Sequence, residues 1–106
     1  MIKADVIEQI QAAILADKSN SKREFTQKKI TSILDSFFDV VKESVAEGNK
    51  IELRGFGTFD LREIKEKEIK NPRNNQSILV HEHAVPVFKP GKDFKRKTRD
   101  SLKRKK

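Results

Sequence analysis

An α+β fold is predicted, with two N-terminal helices, a three-stranded sheet carrying a long β-ribbon arm, and a C-terminal helix. Three observations predict it. Apolar residues recur at helical spacing up to about Glu47. From Lys50 the period switches to two, as strands require. Residues 62–79 then alternate in charge around a turn and hold too few large apolar residues to bury themselves.

The first helix spans residues 3–16, where Val6, Ile7, Ile10, Ala13 and Ile14 form one stripe. Asp5 and Glu8 lie near its N-terminal end and complement the helix dipole. Residues 17–24 are a polar connector whose Ser-Asn-Ser run competes with helix for backbone hydrogen bonds. Thr26 is the expected N-cap of a second helix reaching about Glu47, with Phe25 and Ile30 at the spacing of a hydrophobic staple. Its stripe is Ile30, Ile33, Leu34, Phe37, Phe38, Val41 and Val45, widened by Val40. Gly48-Asn49 ends it, because glycine suits the left-handed position after a helix.

Ile51 and Leu53 alternate with Glu52 and Arg54, and Phe59 and Leu61 continue the inward set beyond the Gly55-Phe56-Gly57-Thr58 turn. The ribbon follows, with Asn71-Pro72 and Asn74-Asn75 as its turn chemistry. A third strand is expected over residues 80–88. Pro86 removes a ladder donor and so confines that strand to an edge or a bulge. Pro90-Gly91 turns the chain into a last helix from Asp93 to about Lys103, with Phe94, Thr98 and Leu102 on one side. The organisation is one domain, 1–106: a helical body 1–49, a sheet over 50–61 and 80–88, an arm 62–79, and a basic C-terminal helix and tail 92–106, frayed at 103–106.

A chain of 106 residues with 35% apolar and 38% charged residues has a small core. The apolar face of the second helix and the open face of the sheet exceed what one such chain can cover, which implies a second copy. There is no cysteine, so no disulfide framework and no thiolate chemistry is available. No apolar run approaches the ~20 residues of a membrane span. Asp5 interrupts any leader-like apolar start, so an intracellular, cytoplasmic location is expected.

Charge is unevenly placed. The net charge is +8, and residues 89–106 alone hold ten basic and two acidic residues. The ribbon adds Arg62, Lys65, Lys67, Lys70 and Arg73 against Glu63, Glu66 and Glu68. A solvated hairpin and tail would explain such a pattern. A polyanion partner, nucleic acid or an anionic membrane surface, explains the asymmetry better. Exposed stacking aromatics, which single-strand binders use, are missing: Trp and Tyr are absent and the seven Phe fall on expected core faces, at the staple or in the Gly turn. That favours duplex DNA. Catalysis finds little support. His81 and His83 share one face of a strand, but a closed metal site needs three or four ligands. Gly55-Phe56-Gly57 lies between two strands, not at the strand-to-helix turn of a dinucleotide site. No metal, cofactor or small-molecule substrate is expected.

The segments Gly55-Phe56-Gly57-Thr58-Phe59, Asn71-Pro72 (Pro72 thirteen residues after Phe59) and Phe88-Lys89-Pro90-Gly91-Lys92 resemble the bacterial HU and integration host factor (IHF) DNA-bending proteins. The resemblance runs over essentially the whole chain without a gap between these motifs. It implies an intertwined dimer with two arms around the DNA minor groove and Pro72 at each tip intercalating between base pairs. It places Arg62, Lys67 and Lys70 at basic arm sites and Lys89, Lys92 and Lys95 at flank-contacting sites. It places Phe56, Phe59 and Phe88 in the aromatic dimer core, to which Phe37 and Phe38 of the second helix stripe are added. Lys65, Ile69, Asn71, Arg73, Asn74 and Gln76 complete the expected arm contacts.

The chain also departs from that pattern. Ile69-Lys70 stands where the family has Gly-Arg, Asn74-Asn75 where it has Thr-Gly, and Ile64 at a basic arm position. The helix connector is several residues longer, the C-terminal Lys-Arg-Lys-Lys run is extra, and Ile2 replaces the usual cap. The expected function is architectural: a non-enzymatic, nucleoid-associated homodimer that bends duplex DNA. A sequence-selective factor of the IHF type is the alternative within the class, and a basic protein- or membrane-surface module the alternative outside it. Loss of an activity on mutating His81 or His83 would revive an enzyme.

Overall fold

The computed structural model describes residues 1–104; Lys105 and Lys106, the end of the basic tail, lie outside the described residues. The element order is α1 (Lys3–Leu15), α2 (Gln27–Ala46), β1 (Ile51–Leu53), β2 (Gly57–Ile64), β3 (Lys67–Lys70), β4 (Ser77–Val80), β5 (His83–Pro90), α3 (Lys92–Thr98) and α4 (Ser101–Arg104). This is the α+β order that the periodicities predict. The chain falls into two compact units, Met1–Val40 and the part from Val41 onward.

In the first unit, α1 starts at Ile2, which has no side-chain acceptor. The cap is half made by Asp5, whose carboxylate accepts the Ile2 N–H at 2.8 Å. Asn20 donates its amide at 2.9 Å to the Ile14 carbonyl, which also accepts the Asp17 N–H at 3.2 Å at the end of α1. The long connector is thus tied down by its own polar side chains. Within it, the backbone N–H and hydroxyl of Ser19 both donate to Asp17, which holds that carboxyl below the usual carboxylate range. Thr26 caps α2 as its sequence position requires, its hydroxyl accepting the Lys29 N–H at 3.2 Å. Phe25 and Ile30, flanking that cap, line one apolar groove of about 350 Å³ together with Ile10, Ile14 and Leu34. Ile7 and Ile30 are buried.

α2 ends in a Schellman motif. Asn49 N–H donates to the Ser44 carbonyl and Gly48 N–H to the Val45 carbonyl, both at 2.9 Å, with Gly48 at φ +91°. In the second unit, Gly55 at φ +84° is the third residue of a turn closed by the Phe56 N–H on the Leu53 carbonyl at 2.9 Å. The strand after that turn begins at Gly57, two residues before the expected Phe59, because Gly57 pairs with both Leu53 and Pro90. A Cβ at Gly57 would lie 2.6 Å from the Lys89 carbonyl oxygen and 2.6 Å from the Phe88 ring, so only glycine fits there.

The main sheet has the order β1-β2-β5, all antiparallel, which leaves β5 and its Pro86 on an edge, as the missing proline donor demands. The last turns of α2 and one face of β2 and β5 enclose an open apolar cleft of about 550 Å³, lined by Val41, Val45, Phe59, Leu61, Ala84 and Pro86.

Two elements differ from expectation. The expected third strand, 80–88, is two strands. β4 belongs to the ribbon and β5 to the body sheet, and the pairing stops at His81-Glu82 opposite Lys65-Glu66. The body sheet therefore reaches Ile64 and His83, and Arg62 pairs with Val85 inside it. The expected single last helix is broken between Thr98 and Ser101. The Thr98 hydroxyl donates back to the carbonyls of Phe94 and Lys95 at 3.3 and 3.2 Å, and such back-bonding competes with continuation of the helix ladder.

Candidate nucleic-acid interface

The ribbon is built by β3 and β4 in the register Lys67↔Val80, Glu68↔Leu79, Ile69↔Ile78 and Lys70↔Ser77. Directly opposed residues share a face, and faces alternate along each strand. One face therefore carries Lys67, Ile69, Ile78 and Val80. The other carries Glu68, Lys70, Ser77 and Leu79. Sequence placed all of these but Val80 on the arm, Val80 having been expected to open the third body strand, and could not assign their faces, because that needs the register.

The tip is a hydrogen-bonded cap. Asn71 N–H donates to the Gln76 carbonyl at 2.8 Å, and Asn75 N–H to the Asn71 carbonyl at 3.0 Å. The Asn71 side chain accepts the Arg73 N–H at 2.9 Å, and the Asn74 side chain accepts the Gln76 N–H at 3.0 Å. These Asx turns hold the loop with Asn75 in the left-handed region at φ +59°, a conformation Asn tolerates better than most residues. Pro72 and Arg73 are exposed at the tip. Asn71 and Asn74 thus shape the loop through side-chain oxygens and Gln76 through its backbone, and all three are residues that sequence assigned to contacts.

Arg62, Lys67, Lys70 and Arg73 are exposed, and among the described residues none has a carboxylate at ion-pair distance. Lys65 sits in the break between the two sheets. Lys89, opposite Thr58 on β5, shares a sheet face with Arg62. Lys92 and Lys95 lie on α3, where they line one open cleft with Arg96 and Arg99, two cations not among the expected contacts. Their helical spacing would have shown this: Lys92, Lys95, Arg96 and Arg99 fall within one side of the helix. Arg96 is only loosely held, 4.0 Å from Asp93.

An aromatic cluster surrounds Phe88. The Phe88 centroid is 4.9 Å from that of Phe59 and 5.1 Å from that of Phe56. Phe94 joins it, 5.5 Å from Phe56 and 6.0 Å from Phe88. Sequence reasoning put Phe94 on the helix stripe but not in this cluster. Gly91 donates its N–H to the Phe56 carbonyl at 2.8 Å, which ties the start of α3 to the Gly-rich turn. Phe37 and Phe38 form a separate pair on α2, centroids 6.1 Å apart. His81 and His83 are exposed, with His83 Nδ1 2.8 Å from the His81 carbonyl. No group of three metal-ligating side chains occurs among the described residues.

Residues 1–99 match the family model described as bacterial DNA-binding protein. The chain belongs to this family. Among its relatives, DNA-binding protein HU of a Synechocystis species is 42% identical over 72 residues, covering 68% of this chain and 72% of that protein. DNA-binding protein HU of Thermotoga maritima is 34% identical over 85 residues, covering 80% of this chain and 94% of that protein. Among solved structures, an Anabaena HU–DNA cocrystal structure superposes with a TM-score of 0.71 at 29% identity, covering 96% of this chain and 97% of that one. The HU family is one of non-enzymatic DNA-binding proteins.

Proposed function

We propose that this HU-family chain is a homodimeric architectural protein, acting as one DNA-binding domain, that binds duplex DNA and bends it. Two arms lie in the minor groove, with Pro72 of each tip wedged between base pairs. Arg62 on the body sheet at the base of the arm, with Lys65, Lys67, Lys70 and Arg73 beyond it, contact the backbone or groove, and Lys89, Lys92 and Lys95 contact the flanks. Unstacking costs about a few kcal/mol per step in this class of minor-groove proteins. Phosphate contacts that the bent duplex makes possible offset it. Association with the bacterial nucleoid follows from that role.

The observation that carries the reading is the ribbon: a two-stranded projection with an exposed proline at its hydrogen-bonded tip and uncommitted cations along it. The dimer is supported by what one chain leaves uncovered. Ile33 and Val40 of α2 are 69% and 59% exposed, and Phe38 is 40% exposed. Among the described residues the only buried apolar side chains are Ile7 and Ile30 in the first unit and Val45 in the second. So open an apolar surface needs a partner, and a second copy supplies a matching face.

Replacing Lys92 and Lys95 together by Ala tests the flank contacts. Binding to all duplex sequences should weaken, and because a dimer loses four lysines the log–log salt slope should flatten by about 3.6, at roughly 0.9 for each phosphate no longer neutralised. An unchanged slope removes α3 from the interface. Tighter binding of the wild-type chain to anionic vesicles than to duplex DNA at equal salt would favour a membrane-surface module instead.

A further inference from the structure

Ile69 stands one residue before the basic site nearest the tip, and the register gives it a partner. It lies directly opposite Ile78, and both are half in solvent, 45% and 59% exposed. This is a branched apolar pair that the chain does not bury. Its face of the ribbon also carries Lys67 and Val80, and no carboxylate. The other face carries Glu68 beside Lys70. Against a polyanion the carboxylate-free face is the one to turn inward, while the long stem of Lys70 can still reach a phosphate on the groove wall.

We propose that Ile69 and Ile78 form an apolar band behind the Pro72 wedge that makes each arm select minor grooves lacking the guanine 2-amino group. The inference rests on the proposed groove binding and adds a sequence preference to it. Every base pair presents acceptors on the minor-groove floor, and covering these with isoleucine costs much the same for A·T and G·C. A G·C pair adds the guanine amino donor. Under this band that donor loses water and meets no acceptor, and an unsatisfied buried donor is penalised in full. The bulk of the amino group also keeps the isoleucine methyl groups off the floor. Nothing in the band can hydrogen-bond, so the discrimination runs in one direction only.

The test measures the affinity of the full chain for three duplexes of one length: A·T-rich, G·C-rich, and the G·C-rich sequence with inosine for guanine. Inosine keeps the major-groove face but lacks the 2-amino group. The wild type should bind the A·T and inosine duplexes alike and the G·C duplex about tenfold more weakly, equivalent to about 1.4 kcal/mol. Ile69→Gly should shrink that gap to about threefold or less, and Ile69→Val should keep it. Both sites are exposed on the ribbon, so neither variant threatens the fold. Equal binding of the inosine and G·C duplexes overturns the proposal. So does a gap that survives Ile69→Gly, which would assign the preference to duplex shape. Failure to bind any of the three duplexes would instead sink the groove reading itself, and this inference with it.

Discussion

Replacing Pro72 by Ala is expected to straighten the bound duplex much more than it weakens binding. The wedge acts only when a base step opens. An apolar ring fills the gap between unstacked bases and offsets part of the forfeited stacking, whereas a methyl group fills little of it. The tip would keep its shape. Its closing hydrogen bonds run from Asn71 to Gln76 and from Asn75 to Asn71, and none involves Pro72. The cations on the arm would keep their phosphate contacts and with them most of the affinity, while only the flank contacts that the bent duplex makes possible would weaken. Fluorescence transfer between the ends of a labelled duplex should report less than half the wild-type bend, with affinity lowered less than about tenfold. Equal bending by Pro72→Ala would show that the wedge is not the bending element.

Phe88→Ala should have the largest effect on stability. Phe88 is the hub of the aromatic cluster, with Phe56, Phe59 and Phe94 within 6.0 Å of its centroid. It also pairs with Phe59 across β2 and β5, and its ring packs where a Cβ on Gly57 would fall. Truncation removes the ring that the other three Phe pack against and leaves a cavity between β2, the Gly-rich turn and α3, at a cost of about 3 kcal/mol or more. For a chain of this size that lowers the melting temperature by about 12 °C or more. Because the apolar faces point to a dimer, the melt should also depend on chain concentration. Circular dichroism melts at two concentrations check both points. A loss below about 1 kcal/mol would mean the cluster is not a core element.

Much of this was legible in the residues because each signal was local. Thr26, Gly48 and Gly55 announce a cap, a helix end and a turn through their own chemistry, and all three stand where that chemistry requires. Pro86 marked its strand as an edge because a missing N–H has no other place in a sheet. Where the reading fell short, the deciding fact was non-local. Alternation is the same whether a strand pairs in the body or in the ribbon, so nothing in residues 80–88 showed the change at His81-Glu82. The helix over 93–103 looked continuous because the Thr98 back-bonding that accompanies its break leaves the apolar spacing intact. The same holds for the arm. Composition located its cations and its proline, but only the pairing of Ile69 with Ile78 separates the face of Lys67 from that of Lys70.

The most direct test of the account follows one duplex, labelled at both ends, while the wild-type chain is added at low salt. Binding is read by anisotropy and bending by energy transfer. Two arms on a dimer predict that both signals rise together and saturate at two chains per duplex, and that both fall as salt is raised. Saturated binding with no rise in energy transfer, or saturation at one chain per duplex, would contradict a dimer that bends DNA between two arms.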